Sequence, residues 1–135
     1  MIRYLLISCA LVLLGCQSFR TVELAVPTGK DLQVKELVQA VSGDSSLVSC
    51  AKWHIRVVGA DECFGGKVGG NSITVYTEPI TGFYTIKISV RSAGFYDNDS
   101  YETLVNLYRT KLETLFLKSE IIERKSSQLP KFERI

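Results

Sequence analysis

The spacing of apolar residues changes several times along this chain, and each change marks a segment. Tyr4 to Leu14 is an apolar stretch of eleven residues. From Arg20 to Val26 the pattern alternates, with Val22, Leu24 and Val26 on one side, which predicts a half-buried strand ended by Pro27. Val34, Leu37, Val38 and Val41 then recur at i, i+3, i+4 and i+7, predicting an amphipathic helix over residues 29–42. Thr28 and Asp31 have the spacing of a capping box at its start, and Gly43 marks its stop. A second strand is predicted from Ala51 to Val58, where Trp53, Ile55 and Val57 face one way. Gly65 to Asn71 reads as a flexible connection, because glycines carry a heavy backbone entropy cost in regular structure. Ser72 to Thr77 and Phe83 to Arg91 alternate on either side of a five-residue loop and predict an antiparallel hairpin. Tyr84, Ile86, Ile88 and Val90 form its main apolar face, opposed by Ile73 and Val75.

A final helix is predicted from about Ser100 to Lys118, with Asp99 and Glu102 at capping-box spacing. Its stripe is Tyr101, Leu104, Val105, Tyr108, Leu112, Leu115 and Phe116. Beyond it, Ile121 and Ile122 either prolong the helix or dock as a short strand, and residues 126–130 read as irregular. The predicted order is βαβββα. Two helices with one apolar stripe each and strands with one apolar face pack most economically as an α+β two-layer sandwich. Both helices would lie on one face of a roughly four-stranded antiparallel or mixed sheet, with the first strand entering through a helical crossover.

The apolar stretch at the start follows Arg3 and is too short to span a bilayer, which needs roughly 20 apolar residues. It fits the apolar region of a secretory signal. Its closing residues, Leu13-Leu14-Gly15-Cys16, resemble the lipobox of a bacterial lipoprotein precursor. That resemblance implies lipidation of Cys16 on sulfur, cleavage between Gly15 and Cys16, and acylation of the new amino group. Several acyl chains hold a protein to a membrane far more firmly than one. Gln17, where an Asp favours inner-membrane retention in such lipoproteins, points by the same resemblance to the outer membrane.

Removing residues 1–15 from the 135 leaves 120, enough for one compact domain. With Arg3 lost, Lys plus Arg falls from 16 to 15 against 14 acids, a formal charge of +1. That balance, with no basic stripe, argues against nucleic acid as a partner. Of four cysteines, Cys9 lies in the leader and Cys16 is the lipid site, so Cys50 and Cys63 remain as an even pair in an oxidising compartment. A disulfide between them would be worth about 3 kcal/mol by loop-closure entropy.

Candidate chemistry is sparse. His54 is the only imidazole, and no G-x-S-x-G nucleophile elbow accompanies it. The glycine segment ends in Asn71-Ser72 and leads to a strand, so neither a phosphate loop nor a dinucleotide fingerprint is met. Asp61-Glu62 and Asp97-Asn98-Asp99 are the acidic clusters; glycosidase chemistry needs two carboxylates about 5–10 Å apart, which sequence does not place, and Asp97-Asn98-Asp99 offers too few oxygens at this spacing for a calcium loop. No metal or cofactor is called for. Tyr76, Phe83, Phe95 and Tyr96 are different: Tyr76 and Phe83 fall on the strand face opposite Ile73 and Tyr84. They either pack under loops or a tail such as Phe132, or mark a contact surface. Phe64 and Lys67, beside the glycines, are further candidates for partner contact.

The expectation is a non-enzymatic, lipid-anchored protein of the cell envelope, facing the periplasm from the outer membrane and binding another envelope protein. The element order is similar to that of lipoproteins that accompany envelope assembly and transport, including the lipopolysaccharide-assembly lipoprotein. Two other roles stay open: an inhibitor of a host hydrolase such as lysozyme, and an enzyme acting on cell-wall or lipid substrates through His54 and a carboxylate.

Overall fold

A computed structural model describes residues 17–93 and 98–135 of the chain. The lipobox with Cys16, the leader before it, and Phe95, Tyr96 and Asp97 lie outside the described residues.

The strands are β1 (Gln17–Pro27), β2 (Val48–Ser49), β3 (Ile55–Val57), β4 (Glu62–Val68), β5 (Asn71–Ile80), β6 (Phe83–Ala93), β7 (Ile122–Ser126) and β8 (Phe132–Arg134); the helices are α1 (Asp31–Asp44) and α2 (Asn98–Leu112). Short 3-10 turns occupy Cys50–Trp53 and Lys118–Glu120. The main sheet runs β2-β4-β5-β6-β1-β7, and β3 pairs with β8 in a separate ribbon. Every pairing is antiparallel.

The α+β class and the two helices are as the periodicity predicts, but the sheet has six strands, not four, and a different order. Strand β1 lies between β6 and β7, paired antiparallel to both, and α1 carries the chain across the sheet to β2 at the far edge, so the expected helical crossover is present but spans most of the sheet. Its apolar side, Val22, Leu24 and Val26, lines up with Ile88, Ile86 and Tyr84 of β6, and Ile88 with Val75 of β5. Val34, Val38 and Val41 of α1 and Tyr101, Leu104, Val105, Tyr108 and Leu112 of α2 join them in one core. The helices are fastened to each other inside that core by a 2.7 Å hydrogen bond between the hydroxyls of Ser42 and Tyr108. Asp31 accepts from the Gly29 amide at 3.2 Å instead of completing a capping box, and Lys30 is the residue at the helix start. Helix α2 ends at Leu112, before the predicted Lys118, yet Phe116 still reaches the core.

Three local expectations are corrected. The stretch from Ala51 to Val58 is not one strand. The Ser49 hydroxyl accepts from the Ala51 amide and His54 adopts a left-handed conformation (φ 56°), so the chain turns before Ile55. Residues 65–71 are not a flexible connection: Gly65 and Gly66 lie inside β4. A side chain at Gly66 would come within 3.1 Å of Leu47 Cδ2, and one at Gly65 within 3.5 Å of the Trp53 ring. The glycines therefore permit close cover from both sides, and the ladder to β5 offsets their entropy. Gly69 and Gly70, at φ 58° and 80°, make the two-residue turn that follows. The β5–β6 hairpin is closed by Thr81 and Gly82 alone, not by five residues. Pro79 is tolerated in β5 because it lies beyond the last β4 pairing, Glu62 with Thr77. Of the two alternatives at Ile122, the strand is the one that forms, at the edge of the sheet. All five β7 residues are exposed, and Glu123, Arg124 and Lys125 discourage further strands from adding there.

Candidate binding groove on the outer sheet face

Side chains alternate across a strand, so the register fixes what the second face of the sheet presents. One cross-strand row reads Lys67, Ser72, Arg91, Phe19 from β4 to β1. The next row reads Gly65, Thr74, Ser89, Thr21, Ser126. A third reads Cys63, Tyr76, Lys87, Glu23, Arg124. The first row is cationic and aromatic, the second is hydroxylic, and the third alternates in charge toward the β7 edge.

The third row is largely sealed. The disulfide joins Cys63 to Cys50, with Cα atoms 5.4 Å apart, and so fastens the 3-10 turn over this face beside Tyr76. Trp53 lies over Gly65. Lys87 pairs with Glu78 at 3.3 Å and sits 5.9 Å from the centre of the Tyr76 ring. Tyr76 is 4% exposed, and burial, reinforced by the charges of Glu78 and Glu23, pushes its hydroxyl up to about 12.

The first row, with Thr74 and Ser89 of the second, forms the floor of a groove of about 650 Å³, and the carboxy-terminal tail forms its wall. The tail is held by three anchor points. Thr21 donates its hydroxyl proton to the Gln128 carbonyl at 2.7 Å, the Val58 amide donates to Lys131 O at 2.8 Å, and the Ile135 amide donates to His54 O at 2.9 Å. Between them Leu129, Pro130 and Phe132 overhang Ser72, Thr74 and Ser89. The Arg91 guanidinium lies 5.6 Å from the centre of the Phe19 ring, which holds its charge against the floor. Among the described residues lining the groove, both charged groups, Lys67 and Arg91, are cations.

The sequence-selected residues are dispersed. Lys67 lines the groove, whereas Tyr76 is buried beside the disulfide. Phe64 points to the helix-covered side and packs against the core, and Phe83 is half-buried at the opposite end of the sheet, paired with Pro27. His54 is exposed at the end of the 3-10 turn, outside the groove. Asp61 accepts from the Tyr84 hydroxyl at 2.9 Å and pairs with Lys35 at 3.5 Å, so it holds the sheet to α1. That bond and burial both keep the Tyr84 hydroxyl protonated well above its ordinary range, burial being the larger cause. Among the described residues, no three His, Cys, Asp or Glu come together as a metal set.

Arg91 and Ser89 were not singled out by sequence reading, although one signal was available, whereas Phe132 of the tail is named above as possible cover for this face. Ser72, Thr74, Ser89 and Arg91 are the polar phase of the two strands whose apolar phase builds the core. No helix among the described residues is long and apolar enough to cross a membrane. Comparison with protein-family models, curated proteins and solved structures finds no match.

Proposed function

We propose that this chain is a lipid-anchored protein of the bacterial cell envelope, held at the outer membrane through Cys16 and facing the periplasm. In this reading it is a non-catalytic module that holds an envelope partner in the groove on the outer sheet face. The observation that carries the reading is the groove itself. Its described lining offers cations, hydroxyls and apolar side chains, a set suited to holding a ligand, with no imidazole, thiol or carboxylate to serve as general base. The anchor is compatible with its place: Phe19, at one end of the cationic row, is three residues from Cys16, at most about 11 Å of extended chain. A protein tethered there presents that end of the sheet to the membrane surface.

Two measurements test this. Mass spectrometry of the protein from its native membrane should show a diacyl- or triacyl-glyceryl mass on Cys16, and an unmodified Cys16 refutes the anchor. A photo-crosslinking residue placed at Thr74, in the groove, should capture a component in intact envelopes that the same residue at exposed Leu32 of α1 does not. Equal capture from both positions refutes the groove as the binding surface.

A further inference from the structure

We infer that the groove is gated by redox state. Its wall belongs to a flap that closes over the outer sheet face while Cys50 and Cys63 are bonded, and swings away when they are reduced. This regulation deepens the binding-module reading and rests on it for what the groove holds. Three features of the fold support it.

The flap is one unit. The Val58 amide donates to Lys131 O, β3 pairs with β8 from Ile55 to Val57, and the Ile135 amide donates to His54 O, which together make one continuous antiparallel ladder. Arg56 and Glu133 pair across it. Movement of the 3-10 turn therefore carries the tail, and with it Leu129, Pro130 and Phe132 of the groove wall.

The flap is weakly attached. Its ribbon pairs with no strand of the main sheet. Apart from Ser49 and Cys50 at its start, residues 51–60 hydrogen-bond only within the segment or to the tail. At the tail's start, Gln128 is bonded to Thr21 and serves as the pivot. Val57 is the only buried residue among 51–60 and 129–135, and segments with so few buried contacts open locally at low cost in free energy.

The disulfide sits where a latch is needed. Cys50 opens the 3-10 turn and Cys63 lies in β4, so this bond is the cross-link between flap and sheet. The pairing beside it, β2 with β4, covers only Val48 and Ser49. A dithiol reductant delivers two electrons and two protons, breaks the S–S bond into two thiols and is itself left as a disulfide. The turn is then held by that short pairing, by Trp53 over Gly65 and by the Val57 side chain.

Trp53 is the only tryptophan and rides on the flap, so its quenching by acrylamide reports the turn, while tryptic cleavage after Lys131 and Arg134 reports the tail. The full chain is compared before and after dithiothreitol, with thiol titration showing that two further thiols have formed. Reduction should raise the quenching of Trp53, half-exposed in the closed flap, by about twofold. Cleavage after Lys131 and Arg134 should accelerate by at least about tenfold, with far-UV circular dichroism unchanged and both readouts restored on reoxidation. Two new thiols with neither change overturn the latch. A change at Trp53 without one in the tail overturns the single flap, and a parallel loss of circular dichroism makes the event global unfolding and overturns it too. The chain carrying Cys50→Ser and Cys63→Ser should match the reduced form in both readouts whether or not dithiothreitol is present; a match to the oxidised form overturns the latch. Finally, the crosslinker at Thr74 should capture its component about tenfold less in reduced envelopes than in oxidised ones, and equal capture overturns the gating. Absence of capture in both states refutes the groove as a binding surface instead, and leaves the flap measurements standing.

Discussion

The hydroxyl pair that joins the two helices gives a sharp energetic test. Ser42 and Tyr108 are both fully buried, and their oxygens are 2.7 Å apart in otherwise apolar surroundings. Tyr108→Phe removes one partner and leaves the Ser42 hydroxyl without its bond. A typical buried hydrogen bond contributes about 1 kcal/mol net, and leaving a buried polar group unpaired costs about 1–3 kcal/mol. Ser42 has a partial escape, because a helical serine can donate back to the carbonyl four residues earlier, that of Val38. Tyr108→Phe should therefore cost about 1 kcal/mol. Ser42→Ala leaves the phenol with no such alternative and should cost about 1–3 kcal/mol, reduced by roughly 0.5 kcal/mol for the better helix propensity of alanine.

The double variant removes both polar groups and leaves no orphan, so it should be more stable than the sum of the single losses implies, by about 1 kcal/mol. Urea unfolding followed by far-UV circular dichroism measures all three. With a urea slope of about 1–3 kcal/mol per molar, each 1 kcal/mol moves the midpoint by roughly 0.3–1 M, a resolvable shift. Strict additivity of the two substitutions would falsify the idea that these hydroxyls satisfy each other.

Three further outcomes follow from the same structure. Replacing Cys50 and Cys63 together by serine should lower stability by about 3 kcal/mol, seen as a large fall in the melting temperature, and non-reducing peptide mapping should recover the 50–63 link from the native protein. Free thiols in that map contradict the bridge. Alkaline pH should destabilise the fold. Burial holds the Tyr76 and Tyr108 hydroxyls up at about 12, so both states stay protonated below about 10, and above it the unfolded chain ionises first. The urea midpoint should therefore fall from about pH 10 upward, and a flat profile to about pH 11 argues against buried phenols. Gly66→Val should cost about 1–3 kcal/mol, because its side chain would press on Leu47 Cδ2 and approach the Leu47 backbone, whereas Arg109→Ala should change stability by no more than about 1 kcal/mol since its pair with Glu123 lies at the surface, where solvent screens it. Thermal melts of the two variants, compared side by side, rank them.

The sequence by itself determined the segments with one dry side. Val22, Leu24 and Val26, the α1 stripe, Tyr84 to Val90 and the α2 stripe all show their periodicity because one face sends apolar side chains into the shared core while the other carries mostly polar ones, even where, as at Thr21, Thr85 and Ser89, these too are covered. The pairing of Cys50 with Cys63 was legible from count and position, since only four cysteines leave few partners. What the tertiary structure decided is everything that depends on which segments lie side by side. Strand β7 has no apolar alternation to read, because an exposed edge strand buries nothing, and it becomes a strand only when β1 offers its free edge. Gly65 and Gly66 look flexible locally, and they are held extended because β5 pairs with them and Trp53 and Leu47 close over them. The groove is the extreme case. Lys67, Ser72, Arg91 and Phe19 form one row only after four strands fall into register, and its wall arrives from residues 129–132 at the far end of the chain. Local periodicity records how each segment meets solvent; the meeting of distant polar faces is set by long-range pairing, which no single segment encodes.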